Sequence, residues 1–201
     1  MSVVAEVIQS STREFVAEVR PGADAPAFGT WVEVERADGA VLYALVSHAE
    51  TGSVEPGRPA VALGYDRETL RREMPQLAAL IRTTIRAQIL AHRPAPTAGY
   101  GTAIRQTLPP CPADLHDGVR PCAPETVASL GAPYDFLRTL ARHPDPAVPA
   151  DDLLVAVLGG LYRAHGRGEA GERVLVEAGR ALARLLNDDH ERLQSILRRV
   201  A

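Results

Sequence analysis

The side chains able to do chemistry are thinly spread, and one proline-rich segment holds the densest set. Cys111, His116 and Cys122 lie within fifteen residues of one another, and His92 or His48 would complete four zinc ligands. Structural zinc sites use ligand pairs two to four residues apart. No such pair is present, so buried thiols are expected in place of a metal site. A Cys111–Cys122 redox couple lacks the Cys-x-x-Cys spacing that lowers a thiol pKa. His48-Ala49-Glu50 and the trio Asp114, His116, Asp117 each suggest a general base. Such a base needs a nucleophile within hydrogen-bond reach, and no Gly-x-Ser-x-Gly elbow accompanies either. Gly166-Arg167-Gly168-Glu169-Ala170-Gly171 has the three-glycine spacing of a dinucleotide loop. It follows a helical pattern and not a strand, so it reads as a helix C-cap and loop. No catalytic residue, cofactor or metal is expected.

Arginine supplies the other chemistry. All 22 basic residues are arginine, and the chain has no lysine. That excludes a Walker A loop, a Schiff base and a lysine nucleophile. Arg82 and Arg86 lie four residues apart, with Arg71, Arg72, Arg93 and Arg105 near them in sequence. One expectation is a solvated face paired with Glu68 and Glu73. The other is a protein-binding face anchored on Arg82 and Arg86, because arginine is favoured at interface hot spots. The net charge of −3 argues against a general electrostatic footprint for nucleic acid. Nuclease chemistry would ask for clustered carboxylates around Mg²⁺. The acidic pairs Asp151-Asp152 and Asp188-Asp189 instead sit where helix caps belong.

These residues need elements to hold them. Val3, Ala5, Val7 and then Phe15, Ala17, Val19 alternate with polar residues, the period-two pattern of half-buried strands, with Ser10 and Ser11 as the turn. Trp31, Val32, Val34 and then Val41 to Val46 form a second pair across Ala37-Asp38-Gly39, an Asp-Gly signal for a type I′ hairpin. Trp31, Phe15, Val34 and Leu45 are expected in the core. A Gly/Pro-rich loop, Thr51 to Gly64, contains Glu55-Pro56-Gly57-Arg58-Pro59. A helix follows from Arg67 to Glu73, capped by Asp66 or Thr69. Pro75 opens a second one whose face is Leu77, Leu80, Ile81, Thr84 and Ile85. Residues 87–92 either prolong that helix or return as a strand; the strand is favoured, with Thr102 to Gln106 as its partner. Leu108-Pro109-Pro110-Cys111-Pro112 is an extended connector. Beyond it, helical spacing marks Pro124 to Leu130, Tyr134 to Arg142, Asp151 to Ala164, Glu169 to Leu186 and a last helix capped by Asp188 or Asp189. Ala178-Gly179-Arg180-Ala181 permits a close helix approach, and Leu182, Leu185, Leu186, Leu193 and Leu197 offer surface for packing on each other or on a partner.

The expected architecture is therefore α+β: a small antiparallel β-barrel over residues 1–108 with a helical insertion around 66–86, a connector over 109–123, and a helical bundle over 124–201. No run of eighteen apolar residues marks a membrane span. No signal peptide is visible at Met1-Ser2-Val3, so a cytoplasmic location is expected.

Val3 to Val19, "VVAEVIQSSTREFVAEV", followed from Phe28 by "FGTWVEVERADGAVLYALVSHAETGSVEPGRPA", resembles the HAS barrel. This is the small β-barrel shared by HerA-type DNA translocases and the catalytic-head subunits of ATP synthase. The likeness lies in Ser-Ser-Thr followed by Glu-Phe, a Gly-x-x-Val step into the next strand, and an Asp-Gly hairpin. "MPQLAALIRTTIRAQILAHR" and "LPPCPADLHDGVRPC" further resemble stand-alone bacterial HAS-barrel proteins of unknown function with a helical tail. In the ATPases the barrel caps the ring, packs on neighbouring barrels and, in the translocase, receives a nuclease. The resemblance thus implies a non-catalytic assembly or adaptor protein with a protein partner, such as a HerA-type ring ATPase or nuclease, or a homo-oligomer. The alternative is an accessory factor of a HerA-type system in DNA-end processing. The ATPase domain itself is missing, so ring formation does not carry over.

Overall fold

A computed structural model describes residues 2–53, 61–78, 80–99 and 101–200. Six strands, β1 (Ala5–Ser10), β2 (Glu14–Val19), β3 (Trp31–Glu35), β4 (Val41–Ser53), β5 (Ile81–Arg93) and β6 (Gly118–Pro121), close into a barrel in the order β1-β2-β5-β4-β3-β6. Every neighbouring pair is antiparallel. Closure removes the exposed sheet edges that would otherwise template aggregation. Helices α1 (Arg67–Glu73) and α2 (Pro75–Ala78) sit between β4 and β5. Helices α3 (Pro124–Ser129), α4 (Phe136–Ala141), α5 (Ala150–Ala164), α6 (Glu169–Leu185) and α7 (His190–Val200) follow the barrel. The α+β class, barrel first and helices after, is the one expected from the sequence.

Apolar side chains, mostly small or medium, line the barrel interior. Ala5, Val7, Phe15, Ala17, Val34, Leu42, Val46, Ile85 and Val119 fill it. A second core lies outside the wall: Trp31, Tyr43, Leu45 and Leu90 pack against Phe136, Leu137, Leu154 and Leu158 of α4 and α5. Residues 41–47 of β4 are consequently buried on both faces, which is why this strand is almost continuously apolar. Phe15 and Val34 thus face inward while Trp31 and Leu45 face the helices, all four in the core.

Three elements differ from the sequence expectations. The helix opened by Pro75 stops at Ala78, and Ile81, Thr84 and Ile85 belong to β5. β-Branched residues at 81, 83, 84 and 85 suit a pleated surface better than a helix, and the 13 residues of β5 pair along the whole of β4. The segment Thr102 to Gln106 forms no strand; it contributes an isolated bridge between Arg105 and His92. Residues 118–121, placed in the connector, form β6 and close the barrel against β1 and β3. Pro121 is tolerated there because it ends the strand.

Local chemistry explains the remaining boundaries. Gly39 has φ of 81°, and its N–H bonds to the Arg36 carbonyl while Arg36 N–H bonds to Ala40. Only one residue of that hairpin has positive φ, so the turn is a three-residue loop with Gly39 in the left-handed position and not the two-residue type I′ turn. Asp66 caps α1, its carboxylate accepting from the N–H groups of Glu68 and Thr69. Asp189 accepts from the N–H of Arg192 at 3.2 Å and caps α7. The Gly166–Gly171 segment joins helix to helix, α5 to α6, and any Cβ on Gly171 would lie 2.6 Å from the Gly166 carbonyl oxygen. It is a tight helical hairpin. Gly179 faces Leu197 across the α6–α7 contact, and Arg192 and Arg199 tie α7 to Asp151 and Asp152 of α5 at 2.7 and 2.8 Å. Leu182, Leu186 and Leu193 are buried; Leu197 is 39% exposed. The Glu55–Pro59 turn and the side chains of Arg71 and Leu77 lie outside the described residues.

Candidate functional site

Strand alternation places Arg82, Thr84, Arg86 and Gln88 on one face of β5, and the β2–β5 register sets Glu18 and Glu14 beside them. Arg82 pairs with Glu18 at 3.6 Å and Arg86 with Glu14 at 3.3 Å. The two arginines do share a face, on a strand and not on a helix. Their partners come from β2, in place of the Glu68 and Glu73 expected from the sequence. All four side chains are about a third or more exposed, so these pairs contribute modestly to stability.

The row continues inward. Gln88 is 2% exposed, and its Nε2 donates to Glu14 Oε2 at 2.7 Å and to Ser47 Oγ at 3.3 Å. A donor aimed at a carboxylate fixes the orientation of the amide. Its Oε1 therefore accepts from His143 Nε2–H at 2.9 Å. His143 Nδ1 in turn accepts the Asp145 N–H at 3.2 Å. A continuous chain Arg86–Glu14–Gln88–His143–Asp145 thus crosses from the barrel to the α4–α5 loop. Two clefts flank it. One, of about 250 Å³, is lined by Ser47, His48, Glu50, Arg86 and Asp145. The other, of about 240 Å³, is lined by Arg13, Gln88, Arg138, Arg142 and His143 among others.

Sequence reasoning singled out Arg82 and Arg86 but not Gln88, Glu14 or His143. The usable signal was Gln88, the one hydrogen-bonding side chain in the run Ala87–Ala91.

The residues weighed as metal ligands are scattered. Cys111 is exposed and Cys122 buried. Burial, helped by the charge of Glu33, pushes the Cys122 thiol well above its ordinary value. His92 Nδ1–H donates to the Thr107 carbonyl at 3.0 Å, beside a groove of about 430 Å³ that Cys111 also lines. Among the described residues no group of three or more His, Cys, Asp or Glu side chains is placed to hold a metal ion. His48 lies 3.8 Å from Glu50, both well exposed. Asp117 accepts the Asp114 N–H at 2.8 Å, a local turn, and His116 Nδ1 is 3.9 Å from Glu6. Neither group forms a nucleophile–base pair with a described partner.

No protein-family model matches the chain, and no curated protein sequence matches it. Among the described residues no helix is long and apolar enough to cross a membrane.

Proposed function

We propose that this protein is a non-catalytic assembly or adaptor protein that holds a protein partner through its barrel. The observation that carries the reading is the arm formed by the outer halves of β4 and β5. Residues 50–53 and 81–84 pair with each other after the barrel contacts of β5 run out near Thr84. Beyond them α1 and α2 pack chiefly on each other. Val61, Leu63 and Tyr65, in the segment that leads into α1, and Ile81, at the start of β5, are all exposed, Val61 by 72%. Exposed large apolar residues on a projecting segment are what an interaction surface needs. Arg86 lies at its base and Arg82 on the arm itself, opposite Gly52, each paired with a carboxylate of β2.

A closed barrel with a helical half is also the architecture that the HAS-barrel resemblance implies, which supports a ring ATPase or nuclease of the HerA type as the partner. Direct DNA contact through Arg82 and Arg86 is the weaker reading, since each already faces a carboxylate.

The test is gentle affinity capture from the native cells, comparing the unaltered chain with Leu63→Glu/Tyr65→Glu. Stoichiometric recovery of a partner, or a defined homo-oligomer, that disappears in the variant supports the reading. A monomer without stoichiometric company, or binding that survives the substitutions, removes it.

A further inference from the structure

The second cleft beside His143 has a property that the arm does not share. Arg13 sits in the β1–β2 turn, which is pinned to β5 by the Ile89 N–H on the Arg13 carbonyl at 2.7 Å. Arg138 and Arg142 lie one turn apart on α4 and its C-cap. Three arginines from two separate parts of the fold therefore line one small cleft, with Ile89 and Leu108 as apolar walls. Several other arginines are paired, Arg20 with Glu6, Arg36 with Asp114, Arg120 with Glu35 and Arg192 with Asp151, whereas Arg13, Arg138 and Arg142 are exposed. Among the described residues no carboxylate pairs with Arg13, Arg138 or Arg142. The carboxylates of the adjoining network are already engaged, Glu14 by Arg86 and Gln88, Asp145 by the Ala147 N–H.

Like charges four residues apart on a helix cost stability when nothing neutralises them. A guanidinium group presents a planar fork of donors that matches phosphate oxygens. His143 adds no donor in its neutral form, because Nε2–H is held by Gln88 and Nδ1 by the Asp145 N–H. It serves as a fixed wall. The volume, about 240 Å³, falls just below the roughly 300 Å³ at which sites for drug-sized ligands begin. We propose that this cleft binds a small phosphorylated molecule: Arg13, Arg138 and Arg142 take the phosphate, and Ile89 and Leu108 take a short organic group. The site is independent of the arm and of the docking role.

Isothermal titration of the full chain with glycerol 3-phosphate and with pyrophosphate, at constant ionic strength, tests it. Saturable one-to-one binding is expected, weakened about tenfold or more by Arg138→Gln or Arg142→Gln, the loss of a charge-assisted hydrogen bond. Arg82→Gln, outside the cleft, should leave it unchanged. Without ligand, Arg142→Gln should melt at the same or a higher temperature, because it relieves repulsion. Should the α4 variants unfold, Arg13→Gln in the turn gives the same reading. No binding by the unaltered chain, or binding indifferent to these substitutions, overturns the proposal. So does binding of a single-stranded oligonucleotide without binding of the small phosphates, which would make the cleft part of a nucleic-acid surface.

Discussion

At the scale of single residues, Gln88 carries the most. It is a neutral amide that satisfies a carboxylate, a hydroxyl and an imidazole inside the seam. Gln88→Leu keeps the volume but leaves His143 Nε2–H without its acceptor, while Glu14 keeps Arg86, and should cost about 1–3 kcal/mol in urea unfolding. A loss below about 0.5 kcal/mol would mean that solvent replaces these bonds. Gln88 was visible in the sequence as a polar interruption, but its burial was not. In the strand pattern it points outward, and only His143, 55 residues further on, brings protein over it. The two thiols should also separate. Cys111 should alkylate in the native state, while Cys122 should react only on unfolding. Rapid modification of both near neutral pH would contradict the buried placement of Cys122.

At the scale of elements, β5 shows what local pattern could and could not reveal. Leu77, Leu80, Ile81, Thr84 and Ile85 fit a helical face, while Ile81, Thr83, Ile85 and Ala87 fit an alternating strand equally well. Pairing with β4 decided between them, and that contact is not local. The caps and the helical hairpin were legible because they depend on neighbours in sequence. Gly171→Ala should destabilise by about 2 kcal/mol, since the added methyl meets backbone and the Tyr162 ring at under 3 Å; an unchanged melting point would show that α6 can slide. Asp66 gives an acid-sensitive cap. Hydrogen bonds from Thr69, backbone first, hold its carboxyl below its ordinary value of 3.8. A depressed folded value means stabilisation that is present above the unfolded pKa and lost as pH falls through the folded one. Amide protection at Glu68 and Thr69 should therefore fade below that point, and be absent in Asp66→Ala at any pH.

At the scale of the molecule, barrel and helices share one wall. The sequence divides at its prolines, whereas the core does not divide there, because Trp31, Tyr43, Leu45 and Leu90 meet α4 and α5. Tertiary contact of this kind leaves no signature in periodicity beyond a strand that is apolar on both faces. Leu158→Ala should cost about 3 kcal/mol and lower the transitions of barrel and helices together; two separate transitions would show that the halves fold alone. Alkaline pH should weaken the same core. Cys122 and Tyr43 are both raised mainly by burial, from 9.0 and 10.0. A raised folded value favours the protonated form, so the stabilisation holds below the unfolded pKa and is lost as pH climbs beyond it. Stability should fall from about pH 9 upward, more gently in Cys122→Ala.

Trp31, the chain's one tryptophan, stands in that wall, edge-on to Phe136 at 5.5 Å and 3% exposed. Its indole N–H has no hydrogen-bond partner among the described residues. With few dipoles free to reorient around its excited state, it should emit at short wavelength in the native protein. Separating the helices from the barrel would bring water to the ring and shift the emission to the red, even with the barrel intact. The molecule thus carries its own optical gauge of whether its two halves are together.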